Sequence, residues 1–437
     1  MKWNKLVLAG LLSSALSANA MQAEDVKSFQ LANGMKFLVL ESHTIPNANM
    51  YTYWKVGSRN EVPGITGLSH FFEHMMFNGS KKYGPKQFDR TMEAQGGANN
   101  AYTSNDLTVY QDWFPAAALT TIFDLEADRI ANLSIDPKMV ESERGVVLSE
   151  RSTGLENSNL RALMAEVNAA AFRAHPYSIP VIGHESDIKA WTQKDLENYF
   201  HTYYSPNNAV SVIVGDVDAA QVKKMAEAYF GKIPKRAMPP AVRTIEPEQK
   251  GERRVFVRKE SASSPNLLMA FKTPPTSHAD YYALKVIASI LAEGKTSRLY
   301  KALVDSRLAT QVSAFHSNSF DPGVFNFYAV AAQKIPAEKL EQALLAEIDK
   351  LIKDGVSSDE LQKVKNQKLM AFYRGLETIN GKAAMIGEYE MFFGDYKKLF
   401  EAPAAYNKLT PAEIQQVAAR YFKKSQRTVG ILAAQED

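Results

Sequence analysis

The segment "LSHFFEHMMFNG", residues 68–79, sets two histidines and a glutamate within five positions of an otherwise apolar stretch. At roughly 100° of rotation per residue, a helix brings His70 and His74 onto one face a turn apart, with Glu73 beside them. Two imidazoles so placed can grip one metal ion. The carboxylate between them then lies near any water on that metal and can serve as general base without binding the metal itself. Phe71, Phe72, Met75, Met76 and Phe77 surround the set, and charge left unpaired in such surroundings costs several kcal/mol. Metal-assisted hydrolysis is the chemistry that fits. A lone histidine or glutamate would read as an ordinary solvated residue.

A catalytic zinc takes a third protein ligand and keeps one position open. The chain has no cysteine, which excludes thiolate sites, disulfides and Cys nucleophiles and leaves His, Asp or Glu for the third position. The segment "DPKMVESERGVVLSERSTG" reads as a helix with Asp136 at the N-cap, Pro137 at the first position and Gly154 beyond the end. Glu143 and Glu150 are seven apart, hence on one face, with Val146 and Val147 between them on the same side. That face is half apolar, so its carboxylates are expected to turn inward. Helical phase alone does not choose between Glu143 and Glu150.

These elements need a frame. The His-bearing helix is bounded by Thr66 as N-cap candidate and by Asn78-Gly79 as a stop, about three turns in all. Around it the chain states one plan twice. Strand-like "FQLANGMKFLVLES" (29–42), "MYTYWKVGS" (50–58) and "AVSVIVGDVD" (209–218) are answered by "RRVFVRKES" (253–261), "NLLMAFKTPP" (266–275) and "TVGILAA" (428–434). Long helical stretches intervene, such as 116–133 and 337–355; the latter carries Leu340, Leu344, Ile348 and Leu351 at helical spacing and ends on Gly355. Residues 231–252, rich in Pro and charge, read as a linker. The expectation is an α+β protein of two homologous domains, 21–230 and 253–437, each a mostly antiparallel sheet with helices packed on one face, together enclosing a cleft.

Composition sets the surroundings. At 437 residues the chain is long enough for two domains, and 51 Lys+Arg against 48 Asp+Glu, with no basic run, gives no footprint for nucleic acid. Residues 1–20 place Lys2 and Lys5 before an apolar run from Leu6 to Leu16 and a small-residue Ala18-Asn19-Ala20 end. This is the pattern of a cleaved secretory signal, and the run is too short to span a bilayer. A periplasmic protein with no membrane insertion is expected.

The order His-x-x-Glu-His resembles the inverzincins, the family of pitrilysin, insulysin and the mitochondrial processing peptidase. The likeness continues through "GGANNAYTSNDLTVY" (96–110), "EADRIANL" (126–133), "ESERGVVLSE" (141–150), "HPYSIPVIGHESDI" (175–188) and "YYSPNNAVSVIVGDVD" (203–218), motifs spread over nearly the whole chain. The resemblance implies one zinc ion per chain, with His70, His74 and Glu150 as ligands, Glu150 standing at the family's separation from the second histidine. It further implies Glu73 as general base and Glu143 as the glutamate that orients a ligand from behind. The segment holding Asn100, Ala101 and Thr103, whose small and polar residues suit an exposed edge strand, would pair with an extended peptide substrate.

One departure matters. Single-chain members carry an Arg and a Tyr, seven residues apart in the second domain, that hold the substrate backbone opposite the metal. Here Val304 stands at the Arg position and Thr310 and Gln311 near the Tyr position, while Arg298 and Tyr300 belong to a different landmark that packs a helix. The resemblance therefore implies the zinc-bearing half of a split peptidase, active as a heterodimer whose homologous partner chain supplies the Arg/Tyr pair. The other class within the family is the non-catalytic binding or assembly subunit. Such subunits lose zinc residues, whereas all four stand here.

Overall fold

A computed structural model describes residues 21–434, so the leader expected over 1–20 lies outside the described residues. Strands β1 (Lys27–Gln30), β2 (Lys36–Glu41), β3 (Asn47–Trp54), β4 (Ala98–Thr103), β5 (Thr108–Pro115) and β6 (Ala209–Gly215) form one sheet in the order β1-β2-β6-β3-β5-β4. The other contains β7 (Arg253–Arg258), β8 (Asn266–Thr273), β9 (Ala309–His316), β10 (Gly323–Ala331) and β11 (Arg427–Ala433), ordered β7-β11-β8-β10-β9. All neighbours are antiparallel except β2 with β6 and β7 with β11. Apart from β1 the two orders coincide: in each, the last strand slides between the first two of the copy. The fold is thus α+β with two homologous domains, and the edge strands β4 and β9 occupy corresponding places. Residues 29–42 make a hairpin rather than one strand, because Gly34 takes φ +91° and the chain turns back with Leu31 N–H donating to the Met35 carbonyl.

Alternation puts Phe37, Val39, Met50 and Trp54 on one side of the first sheet, packed with the helices Leu68–Met75, Leu119–Asn132, Gln193–Tyr203 and Ala219–Tyr229. Leu38, Leu40, Tyr51 and Tyr53 point the other way. The second side is covered by Ala383, Ile386 and Met391 of the helix Ile379–Phe393, which is lent by the C-terminal half. Reciprocally, Leu163 and Val167 of the helix Asn159–Ala171 pack on Leu268, Ala270 and Leu432 of the second sheet. Each domain therefore keeps its own helices on one face and receives a helix of the other domain on the opposite face. The central strands are covered on both sides, which is why every residue of β6 is buried.

Two glycines permit this exchange. A Cβ on Gly387 would come within 2.1 Å of the Tyr53 ring, and one on Gly430 within 2.3 Å of Val167. Tyr53 is buried and cannot swing aside. Gly387→Ala should therefore destabilise the protein by about 1–3 kcal/mol through overpacking, read as a melting transition several degrees lower, although alanine is the better helix former. An unchanged transition would mean that the two halves are free to separate.

Residues 231–252 carry neither helix nor strand, yet they are tied down: Glu246 accepts the backbone N–H groups of Arg173 and Ala174, both at 2.9 Å. Among the described residues no helix is long and apolar enough to cross a membrane.

Candidate metal and catalytic centre

The His-bearing helix spans Leu68–Met75, shorter than the three turns its flanks suggest, and its N-cap is Gly67 at φ +88°, not Thr66. Thr66 instead donates its hydroxyl to Asp187 and accepts the His184 N–H. The orphan N–H groups of Gly67 and Ser69 are taken by the buried carboxylate of Glu61, at 2.7 Å each. Burial pushes the Glu61 pKa up to about 7, with these two N–H groups and the Ser69 hydroxyl pulling the other way. Gly67 lies so close to the loop at residues 182–183 that a Cβ would sit 2.6 Å from the Ile182 carbonyl oxygen. The sequence gives no sign of Glu61, since a cap supplied from six residues upstream has no fixed spacing.

The second helix begins as its sequence predicts, with Asp136 capping Lys138 and Met139 and Pro137 in the first turn. It does not stop at Gly154 but runs to Asn157; glycine costs a helix only about 1 kcal/mol, and Ser158 then caps the next helix through the Arg161 N–H. Of the two valines, Val147 is buried and Val146 is exposed. The inward face is therefore narrower than phase suggests, passing through Val140, Glu143 and Val147.

Two helices crossing at this face bring the candidate residues together. His70 Nε2 and His74 Nε2 lie 3.6 and 3.4 Å from the same Glu150 oxygen, Oε2, and one ligand atom of each of the three residues falls within 4.8 Å of the others. Glu143 stands behind this group: its Oε1 is 2.7 Å from His74 Nδ1, and its Oε2 accepts from Asn78 at 2.7 Å. The contact to Nδ1 turns the other ring nitrogen of His74 toward Glu150. The His74 hydrogen bond lowers the Glu143 pKa from its ordinary value, with burial opposing. For His74 itself burial disfavours charge, but Glu143, Glu150 and Glu73 outweigh it and raise its pKa. His70, more deeply set, is pushed down to about 4 by burial, then by the charges of His74 and Arg161; its Nδ1 is buried without a hydrogen-bond partner. Of the two glutamates that phase leaves equivalent, Glu150 meets both histidines and Glu143 meets only the back of one. Asn78, legible in the sequence only as a helix stop, is the second anchor of Glu143.

Glu73 points to the first sheet. Its Oε2 accepts the Thr103 hydroxyl at 2.6 Å, and burial raises its pKa, with Thr103 and His74 opposing. Thr103 ends β4, whose only strand partner among the described residues is β5, so that among them the outer edge of Asn100, Ala101 and Thr103 is unpaired. The end of β4 is locked to the second domain. Asp106 accepts the Tyr177 hydroxyl at 2.7 Å and the Phe320 N–H at 3.3 Å, while Arg59 is 2.9 Å from Asp321. Burial raises the Asp106 pKa to about 6. None of this lock is signalled by spacing.

Cavities open on either side of the cluster. One of about 350 Å³ is lined by Glu73, His74, Asp89, Asn100 and Glu143, and another of about 350 Å³ by His70, Glu150, Leu155, Arg161 and Ile182. In the second domain Val304 is half-buried against the core, while Thr310 and Gln311 are exposed on the edge strand β9. Arg298 is spent on Glu360, at 2.6 Å, and on the Gly355 carbonyl.

A histidine's back hydrogen bond commonly tunes metal affinity by about 10- to 100-fold. Glu143→Ala should weaken zinc binding within that range while leaving the fold intact, as measured by competition with a chromophoric chelator. Unaltered affinity would remove Glu143 from the site.

Comparison with known proteins gives two family matches: one described as Insulinase (Peptidase family M16) over residues 36–185, which contains every residue of the cluster, and one described as Peptidase M16 inactive domain over 190–368. Zinc protease PqqE of Helicobacter pylori is 32% identical over 383 residues, covering 87% of this chain and 86% of that protein. The beta subunit of the mitochondrial-processing peptidase of Blastocladiella emersonii is 24% identical over 429 residues, covering 96% and 91%. Among solved structures, a protease from Helicobacter pylori superposes with a TM-score of 0.91 at 31% identity, over 93% of this chain and 99% of that one.

Proposed function

The chain belongs to the insulinase family of peptidases, M16, and from that premise we propose that it is a zinc-dependent peptide hydrolase, the metal-bearing chain of a two-chain enzyme. The observation that carries the reading is the convergence of both imidazole Nε2 atoms on one Glu150 oxygen, with Glu73 held beside them by the Thr103 hydroxyl at the end of β4.

The donor set fits zinc. It is two nitrogens and one oxygen without thiolate, and donors about 2.0–2.1 Å from one centre at tetrahedral angles lie about 3.4 Å apart, close to the 3.6 and 3.4 Å that separate the two Nε2 atoms from Glu150 Oε2. A zinc ion held there supplies Lewis-acid polarisation of the scissile carbonyl and makes water acidic enough to lose a proton near neutral pH. The chain's own residues do the rest. An extended peptide adds to the free edge of β4, its backbone pairing with residues 100–103, so recognition is tolerant of sequence. Thr103 fixes one oxygen of Glu73 and leaves Oε1 free to take the proton of the attacking water and return it to the departing amine nitrogen.

The leader expected over residues 1–20 supports a periplasmic setting. The two-chain arrangement rests on Val304, Thr310 and Gln311, none of which can act as the missing Arg or reach as a Tyr would. The alternative of a non-catalytic subunit is disfavoured by the intact set His70, Glu73, His74 and Glu150. Elemental analysis of the purified chain should give about one zinc per chain, removed by chelators at neutral pH with loss of peptidase activity and restored by zinc alone. A protein that neither carries nor accepts stoichiometric metal would overturn the reading.

A further inference from the structure

The helix that carries Glu150 ends at Asn157 and the chain turns directly into the helix Asn159–Ala171. That second helix has two working faces. Leu163 and Val167 pack on the second sheet, while Arg161, Met164, Ala165 and Asn168, at i, i+3, i+4 and i+7, line the cavity that opens beside His70 and Glu150. The remaining wall has an apolar part, Leu155 from the first helix and Ile179, Val181 and Ile182 from the loop pinned against Gly67, and a polar part, Thr103, Asn105 and Arg151.

The two arginines of this lining, Arg151 and Arg161, and Arg144 earlier on the first helix have quite different surroundings. Arg144 donates to the Ile188 and Trp191 carbonyls and pairs with Glu141, and Arg151 donates to the Gly183 carbonyl and faces Glu185. Among the described residues the Arg161 guanidinium has no ion pair and no hydrogen bond; only its backbone N–H is used, by Ser158. It stands over Gly154, where a Cβ would come within 3.2 Å of its Nη1, so the glycine leaves it room at the cavity mouth.

We infer that Arg161 is a specificity-determining residue: the cavity takes a substrate side chain next to the scissile bond with an apolar stem and a terminal carboxylate, which the guanidinium receives. The inference rests on the peptidase reading and deepens it. The apolar wall accepts the methylenes, and a cation with no partner of its own, at the edge of that wall, offers a planar fork matched to a carboxylate. An acidic side chain and the free C-terminus of a short peptide present the same group, and both are included in the test.

The experiment uses the full zinc-loaded chain, with any partner that co-purifies, and internally quenched peptides carrying Glu, Gln, Leu or Lys at successive positions around the cleaved bond, each with a free or amidated C-terminus. At one position kcat/KM should favour Glu over Gln by about 10- to 100-fold. Arg161→Gln should abolish that ratio, Arg161→Lys restore part of it, and Arg161→Glu favour the Lys peptide. If the free C-terminus is the ligand, the preference follows amidation instead of the side chain. Equal ratios in wild type and Arg161→Gln overturn the inference and leave the peptidase reading standing. Binding of the same peptides to Glu73→Gln, followed by fluorescence anisotropy, separates the opposite case. Carboxylate-dependent binding lost in Glu73→Gln/Arg161→Gln, with no cleavage by the parent, supports the pocket and removes the peptidase.

Discussion

Glu73→Gln should lower peptide turnover by at least about 10² to 10⁴-fold while the protein still carries about one zinc per chain and melts as the wild type does. The amide oxygen can still accept the Thr103 hydroxyl that now reaches Glu73 Oε2, so packing and the edge strand are undisturbed. What is lost is proton capacity: an amide neither takes a proton from water nor delivers one to an amine. Glu150→Gln makes the contrast, because its Oε2 is the point on which both histidines converge and its loss should release metal as well as activity. The measurement is zinc content and single-turnover cleavage on the same preparations. If Glu73→Gln shed its metal while Glu150→Gln kept both metal and rate, the two roles would have to be exchanged.

The second large effect concerns the partner. A peptide paired to residues 100–103 is held along one side only, and hydrolysis demands that its carbonyl be placed within a fraction of an ångström. Val304 is tucked against the second core and has no donor, and Thr310, although exposed on β9, has a hydroxyl too short to stand in for a tyrosine. Removing one donor to a developing oxyanion costs about 10²- to 10³-fold. Adding a homologous chain with an intact Arg and Tyr should raise the rate of the isolated chain by that order, saturably and at a one-to-one ratio. Substituting the partner's Arg should return the rate to that of the lone chain. Full-speed cleavage by the isolated chain, with no binding by any homologous chain of the same cell, would leave a self-sufficient peptidase in place of the split one.

What the sequence determines and what folding decides divide by range. His70, Glu73 and His74 were legible because the helical period alone places residues three and four apart side by side, whatever the remainder of the chain does. The same local rule gave the Asp136-Pro137 start, the buried Leu340, Leu344, Ile348 and Leu351, and the doubled strand plan. Periodicity was silent wherever the answer depended on which surfaces meet. Glu143 and Glu150 share one helical face, and only the crossing of two helices gives Glu150 to the metal group and Glu143 to the back of His74. Resemblance to a family assigned them; phase did not. Glu61 caps a helix from outside its local window, Thr103 reaches Glu73 across a strand–helix contact, and each sheet is sealed by a helix from the other half of the chain. Arg161 has its place for the same reason, set by a chain reversal at Ser158 and a loop from residues 179–182. Sequence determines what each element is and which way it faces, because steric and hydrogen-bonding rules act between near neighbours. Which charges end side by side is decided when apolar faces are buried against one another, a choice made by the whole core and recorded in no single period.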